Sequence, residues 1–448
     1  MSGAHPPNRF ESVRWGRNAP HSRPRGRQEC LPHRGGHPNA FAEAAGRSYR
    51  LVVRIALVIL HADPARGGAE RYTVDLAAAL AGRGHEVTIV ASSIGDVPAS
   101  VQRVELQITG ATRLSRYRSF LDRLDEHLQT HSYDIVHAML PVRYCTVYHP
   151  HAGLAVEAIA SGHRKYDSLL TRAISWLANR LNLKRNCFGK VERDLLTSDR
   201  PPIVLSLSEA LKESVRRNYP QLPDRNLITL FNAVDLGKFD PFTRPESRRQ
   251  LRHSLKIEEG ELMALMIAQD FQRKGLRQAI DALARTRHAA ARLTVSSGQP
   301  GRREIVLVVV GKGEVKQYAK LAAELGVEKQ VIFAGPTSDP FAYYRAADFF
   351  VLPTRQDPCS LVVLEALAMG VPVISTRLNG ACEIMAGGVH GFVLDDPSDV
   401  VALAQAMVRM TDSTFRRQAA QACLLLRPKL AYEHHLNTLE QAYAAAMV

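Results

Sequence analysis

The chain has 448 residues, 46% apolar and 23% charged, with a formal net charge of +14. That size supports two or three domains of roughly 100–200 residues each and excludes global disorder. Its longest apolar runs, 305–310 and 51–60 with Arg54 inside, fall far short of the ~18–20 residues a membrane span needs. The six cysteines, Cys30, Cys145, Cys187, Cys359, Cys382 and Cys423, contain no Cys-x-x-Cys pair, which argues against a zinc module or disulfide framework and fits a reducing cytosol.

The first fifty residues carry nine Arg and three Glu, which is 6 of the 14 excess charges. They show no apolar period, so 1–50 reads as a disordered basic extension, and no apolar segment follows the charges as a secretory signal requires. Either it touches nucleic acid or acidic lipid, or it does nothing; a translation start at Val53 would be one version of the second.

From residue 53 to 60 an apolar, β-branched run reads as a buried strand. The turn Ala65-Arg66-Gly67-Gly68-Ala69-Glu70 follows, and then Tyr72, Leu76, Ala79 and Leu80 recur at helical spacing up to Gly82 and Gly84. Further strands are expected at 86–91, 135–138 and 203–207, with helices between. The stretch 232–245, opening Asn232-Ala233-Val234-Asp235, reads as a linker. The pattern then restarts, with strands at 262–267, 305–310, 331–333, 349–352 and 373–376, and helices at 275–287, 315–325 and 361–369. The fold class is therefore α/β: two doubly wound, Rossmann-like parallel sheets, 51–232 and 233–425, with a last helical segment at 426–448. Ligands of such sheets bind at the carboxyl ends of the strands, so the cleft between the halves is the expected site.

Four segments could carry chemistry there. Gly67-Gly68 opens a helix whose amides favour an anion, although a plain tight turn would look the same. Arg273-Lys274-Gly275, after a strand and before a helix, sets two cations against a positive helix end; a phosphate between them would make sense of it, and a solvated basic pair is the alternative. The stretch 357–374 is the most specific. Ser360 is placed as an N-cap, Gly370 and Pro372 as a stop, and the amides of Ser360, Leu361 and Val362 should point at an anion. Glu365 lies inside an apolar helix with no Lys or Arg one turn away, so sugar hydroxyls would suit it, and Asp357 stands at the same cleft edge. His137 ends a strand at the cleft, where a satisfied core histidine is the other reading. His149-Pro150-His151 lacks a third ligand, and no metal site is assigned.

Together these residues resemble the retaining glycosyltransferases of family 4. The resemblance rests on Asp357 and Glu365 as acid-x7-acid, the sequence Glu365 to Ile374, Gly67-Gly68-Ala69-Glu70, Arg83-Gly84-His85-Glu86-Val87, the 232–235 hinge and Arg273-Lys274-Gly275. It covers about 53–425, and 268–275 looks like the lipopolysaccharide-core glucosyltransferase I branch. The resemblance implies a metal-independent GT-B enzyme without cofactor that moves a hexose, glucose, from UDP-glucose to a glycan or lipid-linked saccharide of the cell envelope. Glu365 would then hold the ribose, and Asp357 the hydroxyls of the donor sugar. Arg273 and Lys274 would bind the pyrophosphate, helped by Gly67, Gly68, Ser360, Leu361 and Val362. His137 would serve beside the sugar, and the last helix would cross back to the first domain. Asp357 stands where the family usually has Glu, one methylene longer. Charge building on the departing β-phosphate is what the cations must stabilise, so Lys274→Ala should lower turnover far more than it weakens folding.

The acceptor would bind the first domain. There Arg164, Lys165, Arg172, Arg180, Lys184, Arg185, Lys190 and Arg193 alternate with Leu169, Leu170, Ile174, Trp176 and Leu177. That pattern suits a cytoplasmic enzyme resting on anionic lipid at the inner face of the membrane, or a basic helix packed on its own domain. A nucleotide-sugar epimerase on the same fold would need no acceptor surface, and nucleic-acid binding is suggested by charge alone.

Overall fold

The computed structural model describes residues 52–157, 182–297 and 304–447. The basic extension at 1–50 lies outside them, as do Arg164, Lys165, Leu169, Leu170, Arg172, Ile174, Trp176, Leu177 and Arg180.

Strand β1 (Arg54–Val58) shows how the first half is built. Ile55 and Leu57 turn to one face and Ala56 and Val58 to the other, all fully buried. Burial on both faces marks a central strand of a parallel sheet. Parallel partners β2 (Glu86–Ala91) and β4 (Ile135–Ala138) flank it, with Ile55 level with Val87 and Ile135. With β3 (Gln102–Glu105), β5 (Val147–Tyr148), β6 (Ile203–Ser206) and β7 (Leu227–Thr229) the sheet runs β3-β2-β1-β4-β5-β6-β7.

The second sheet repeats the plan. It contains β8 (Leu262–Ile267), β9 (Ile305–Val310), β10 (Val331–Gly335), β11 (Phe349–Leu352), β12 (Val373–Thr376) and β13 (Gly391–Leu394), in the order β10-β9-β8-β11-β12-β13. The winding direction reverses between β1 and β4 and again between β8 and β11, which opens a crevice at the carboxyl end of each sheet.

Helices of the first half are α1 (Gly68–Gly82), α2 (Arg113–Thr130), α3 (Leu183–Leu196) and α4 (Glu209–Asn218). The second half adds α5 (Ser247–Ser254), α6 (Leu276–Ser297), α7 (Lys316–Glu324), α8 (Pro340–Ala346), α9 (Leu361–Ala368), α10 (Val400–Arg409), α11 (Ser413–Leu425) and α12 (Arg427–Leu430), and α13 (Tyr432–Ala446) ends the chain. An apolar-run criterion misses β3, β5, β7 and β13, because β3 is an edge with Gln102, Arg103 and Glu105 exposed and β5 has two residues. Helix α6 continues past 287 to Ser297, through Ala289-Ala290-Ala291, the residue with the best helix propensity.

Both sheets belong to one compact unit that begins at Val52. Helix α13 returns to the first half, where Leu436, Leu439, Ala442 and Tyr443 share a core with Ile55, Leu57 and Ile135. Arg83 on the turn after α1 fastens it, 2.7 Å from Glu433 and 3.0 Å from Glu440. Among the described residues no helix is long and apolar enough to cross a membrane.

Candidate active site

Two loops of the second half meet at its switch point. The turn after β8 ends at Gly275, whose φ of +81° and close approach to the Pro353 carbonyl leave no room for a Cβ. That turn lays Arg273 and Lys274 against the loop after β11. The Lys274 ammonium pairs with the Asp357 carboxylate, and both side chains are nearly buried, 12% and 11% exposed. Lys274 is therefore no solvated surface cation. Arg273 is 40% exposed; its guanidinium lies 3.4 Å from Asp270 and donates to the Gln356 carbonyl at 3.4 Å.

The loop 357–360 is fixed by its neighbours. The Asp357 N–H donates to Leu378 O, and the Gly380 N–H to Asp357 O. Ser360 precedes α9, as its sequence position predicts, but its side chain makes no capping bond. Its own N–H donates to Asn379 Oδ1 at 3.2 Å, so the expected trio of anion-facing amides loses one member. Leu361 and Val362 occupy the first two helical positions, where N–H groups have no helical acceptor. Across the cleft, Gly68 comes so near that a Cβ there would lie 3.5 Å from Leu361 Cδ1. The glycine turn of one half and the start of α9 in the other thus share one edge.

Glu365 is 5% exposed, one turn into α9. The sequence offers it no nearby cation, and the structure corrects that: Arg71 of α1 reaches its carboxylate at 3.7 Å, and the Tyr344 hydroxyl donates to it at 2.8 Å. Burial pushes this carboxyl up, against the pull of the Arg71 charge and the Tyr344 bond. Arg71 escapes a sequence reading because its partner lies 294 positions away, although it sits one turn beyond Gly67-Gly68.

His137 is not at the open cleft. It is fully buried, with Nδ1 2.8 Å from the Tyr443 hydroxyl of α13 and Nε2 3.2 Å from His149 Nδ1. His149 lies against His151 with the rings tilted, and neither buried Nε2 has a partner among the described residues. Tyr72 packs on both rings and hydrogen-bonds His435, which meets the Phe231 carbonyl. Burial holds all four imidazoles neutral, His151 pushed down to about 3 and His435 to about 4. His149 and His151 are thus part of a buried histidine chain with His137 and His435.

The halves are also joined at the far edge of this site. Glu383 accepts the N–H groups of Glu209 and Ala210 at 2.6 and 2.9 Å, at the N-terminus of α4. Asn232 of the hinge donates to the Cys359 carbonyl at 3.0 Å. Of the basic residues on α3, Lys184 leans over Phe188, which stacks on Tyr117, so part of that face is packed inward; Lys190 and Arg193 are exposed.

Comparison with known proteins bears on this arrangement. Residues 66–238 match the family model Glycosyltransferase Family 4, and residues 247–422 match Glycosyl transferases group 1. Lipopolysaccharide glucosyltransferase WaaG of Escherichia coli K12 is 24% identical over 357 residues, 79% of this chain and 89% of that protein. The crystal structure of WaaG superposes with a TM-score of 0.70 at 23% identity, over 84% of this chain and 95% of that one. That of Anabaena Alr3699/HepE in complex with UDP-glucose gives 0.60 at 18% identity, over 88% and 99%. The shared architecture is the GT-B fold of two Rossmann-like sheets.

Proposed function

This chain belongs to the GT-B glycosyltransferases of family 4, and we propose that it transfers glucose from UDP-glucose, with retention, to a saccharide or lipid-linked acceptor of cell-envelope polysaccharide or lipopolysaccharide. One observation supports the donor site: Lys274 pairs with Asp357, whose loop leads into α9, and a Cβ on Gly68 of the other half would lie 3.5 Å from Leu361 at the start of that helix. A diphosphate would suit this edge, with Arg273, Lys274 and the first-turn amides of α9 to meet its charge. The names of WaaG and of the HepE complex support glucose and UDP over other donors.

In this reading Glu365 accepts the ribose hydroxyls, and Asp357 meets hydroxyls of the donor sugar. When the anomeric C–O bond breaks, negative charge collects on the β-phosphate. Arg273, Lys274 and the Leu361 and Val362 amides stabilise it, each donor contributing about 3–4 kcal/mol at the transition state where it is essential. The departing phosphate takes the acceptor proton, on the face the leaving group vacates. No metal or cofactor is assigned a role.

The acceptor would lie against the first half. The exposed Leu183 beside Lys184 and Arg185 supports a cytoplasmic enzyme in peripheral contact with anionic lipid. Sedimentation with liposomes should show preference for anionic over neutral lipid, and equal binding would remove this part. The donor is tested by a thermal-shift panel of UDP, GDP and ADP sugars, then a mass-based acceptor screen. A shift with UDP-glucose and transfer of one hexose are expected; no shift and no calorimetric heat with any nucleotide sugar or nucleoside diphosphate would overturn the reading.

A further inference from the structure

The side chain opposite Glu365 has no place in the transfer described so far. Arg71 belongs to the first half, yet its guanidinium enters the second, 3.7 Å from the Glu365 carboxylate. It is aimed there by Asp75, one turn on at 3.6 Å, and by the Phe239 ring, 5.8 Å away. Only 26% of the Arg71 side chain is exposed. Around Glu365 stand Arg71 and Asp75 from α1, Asp235 and Lys238 from the hinge, Tyr344 from α8 and Tyr432 from α13. Of the two cations in this set, Arg71 is the one ion-paired with Glu365.

We propose that Arg71 is a positioning residue for the donor, which keeps the Glu365 carboxylate charged and aimed so that it accepts both ribose hydroxyls. This rests on the assignment of Glu365 to the ribose made above. An ionised carboxylate offers acceptors only, whereas the acid form presents a hydroxyl donor to one of the two sugar hydroxyls. Within the apolar stretch Leu361-Val362-Val363-Leu364-Glu365-Ala366-Leu367-Ala368, desolvation favours the acid form. The countercharge comes from the other half. The grip on the nucleotide then depends on closure of the cleft, although the ribose rests on the second half. When the halves separate, Glu365 loses its cation and releases the product more readily.

The test measures binding of UDP, 2′,3′-dideoxy-UDP and inorganic pyrophosphate by calorimetry between about pH 6 and about pH 8.5, in the full chain. Glu365→Gln should weaken UDP and spare the dideoxy form. Arg71→Gln should bind UDP about tenfold more weakly at the acid end for each unit by which the variant's carboxyl pKa lies above that pH, with the gap closing toward the alkaline end. Pyrophosphate should be unaffected. Arg71→Lys, the gentler change, should show the same sign with a smaller gap. If Glu365→Gln weakens both nucleotides equally, the ribose assignment fails. If Glu365→Gln is selective while both Arg71 variants follow the wild type, only the role of Arg71 fails. A loss shared by pyrophosphate would make Arg71 a direct phosphate ligand, and a loss constant across pH would show that it does not act through the carboxylate's charge; either result overturns the proposal.

Discussion

Replacing Lys274 by alanine separates what this residue does for folding from what it does for transfer. Without the structure Lys274 has no partner, and its loss should lower turnover far more than it weakens folding. The ion pair with Asp357 changes that, because both side chains are nearly nine-tenths buried. Removing one member of a fully buried pair costs about 3–5 kcal/mol, and water entering the emptied space should bring this to about 2–3 kcal/mol. Turnover should fall by roughly a hundred- to a thousandfold, the effect of losing one essential donor to a developing oxyanion. Asp357→Asn in the Lys274→Ala background removes the stranded charge, so much of the lost stability should return. Turnover should not. Denaturant midpoints and kcat at saturating donor for the two single variants and the double variant supply the comparison. Recovery of kcat together with stability in the double variant would show Lys274 to be a structural counter-ion, and the leaving-group argument would go with it.

Two further predictions concern the frame of the site. The buried histidines stay neutral in the folded chain, with His435 pushed down to about 4, while unfolded histidine takes a proton near 6.5. Their contribution to stability is therefore full above about pH 6.5 and is lost as pH falls, by up to about 1.4 kcal/mol per histidine per pH unit. Raised carboxyls such as Glu192 and Glu365 act in the opposite direction, so the check is differential. His435→Gln should reduce the slope of stability against pH by about one proton between about pH 6 and 5, and an unchanged slope would contradict the assignment. Gly380→Ala would place a Cβ against the Pro358 carbonyl and 2.5 Å from Ser208 Cβ of the other half. A loss of about 1–3 kcal/mol is expected, read as a lower denaturant midpoint; an unchanged midpoint would mean that these loops do not close on each other as described.

Much of this protein is legible in one dimension because its chemistry is local. A strand buried on both faces must be continuously apolar, so 262–267 and 305–310 announce themselves, and the glycines at 275 and 370 mark turns where φ is positive. That Arg273-Lys274 and 357–365 lie at one sheet end follows from each loop leaving a strand of the same parallel sheet; that β8 and β11 stand side by side is the structure's addition. Tertiary structure decided the rest, since burial and pairing depend on what arrives from elsewhere in the chain. Glu365 finds its cation in Arg71 of the other half, and Lys274 is neutralised by Asp357 rather than by solvent. His137 ends a strand at the expected place, but α13 folds over it and joins it to Tyr443 and His149. Residue type and spacing set which groups could carry charge; only the packed chain fixes which of them face each other, because a Coulombic partner is chosen by distance in space and by the water excluded between.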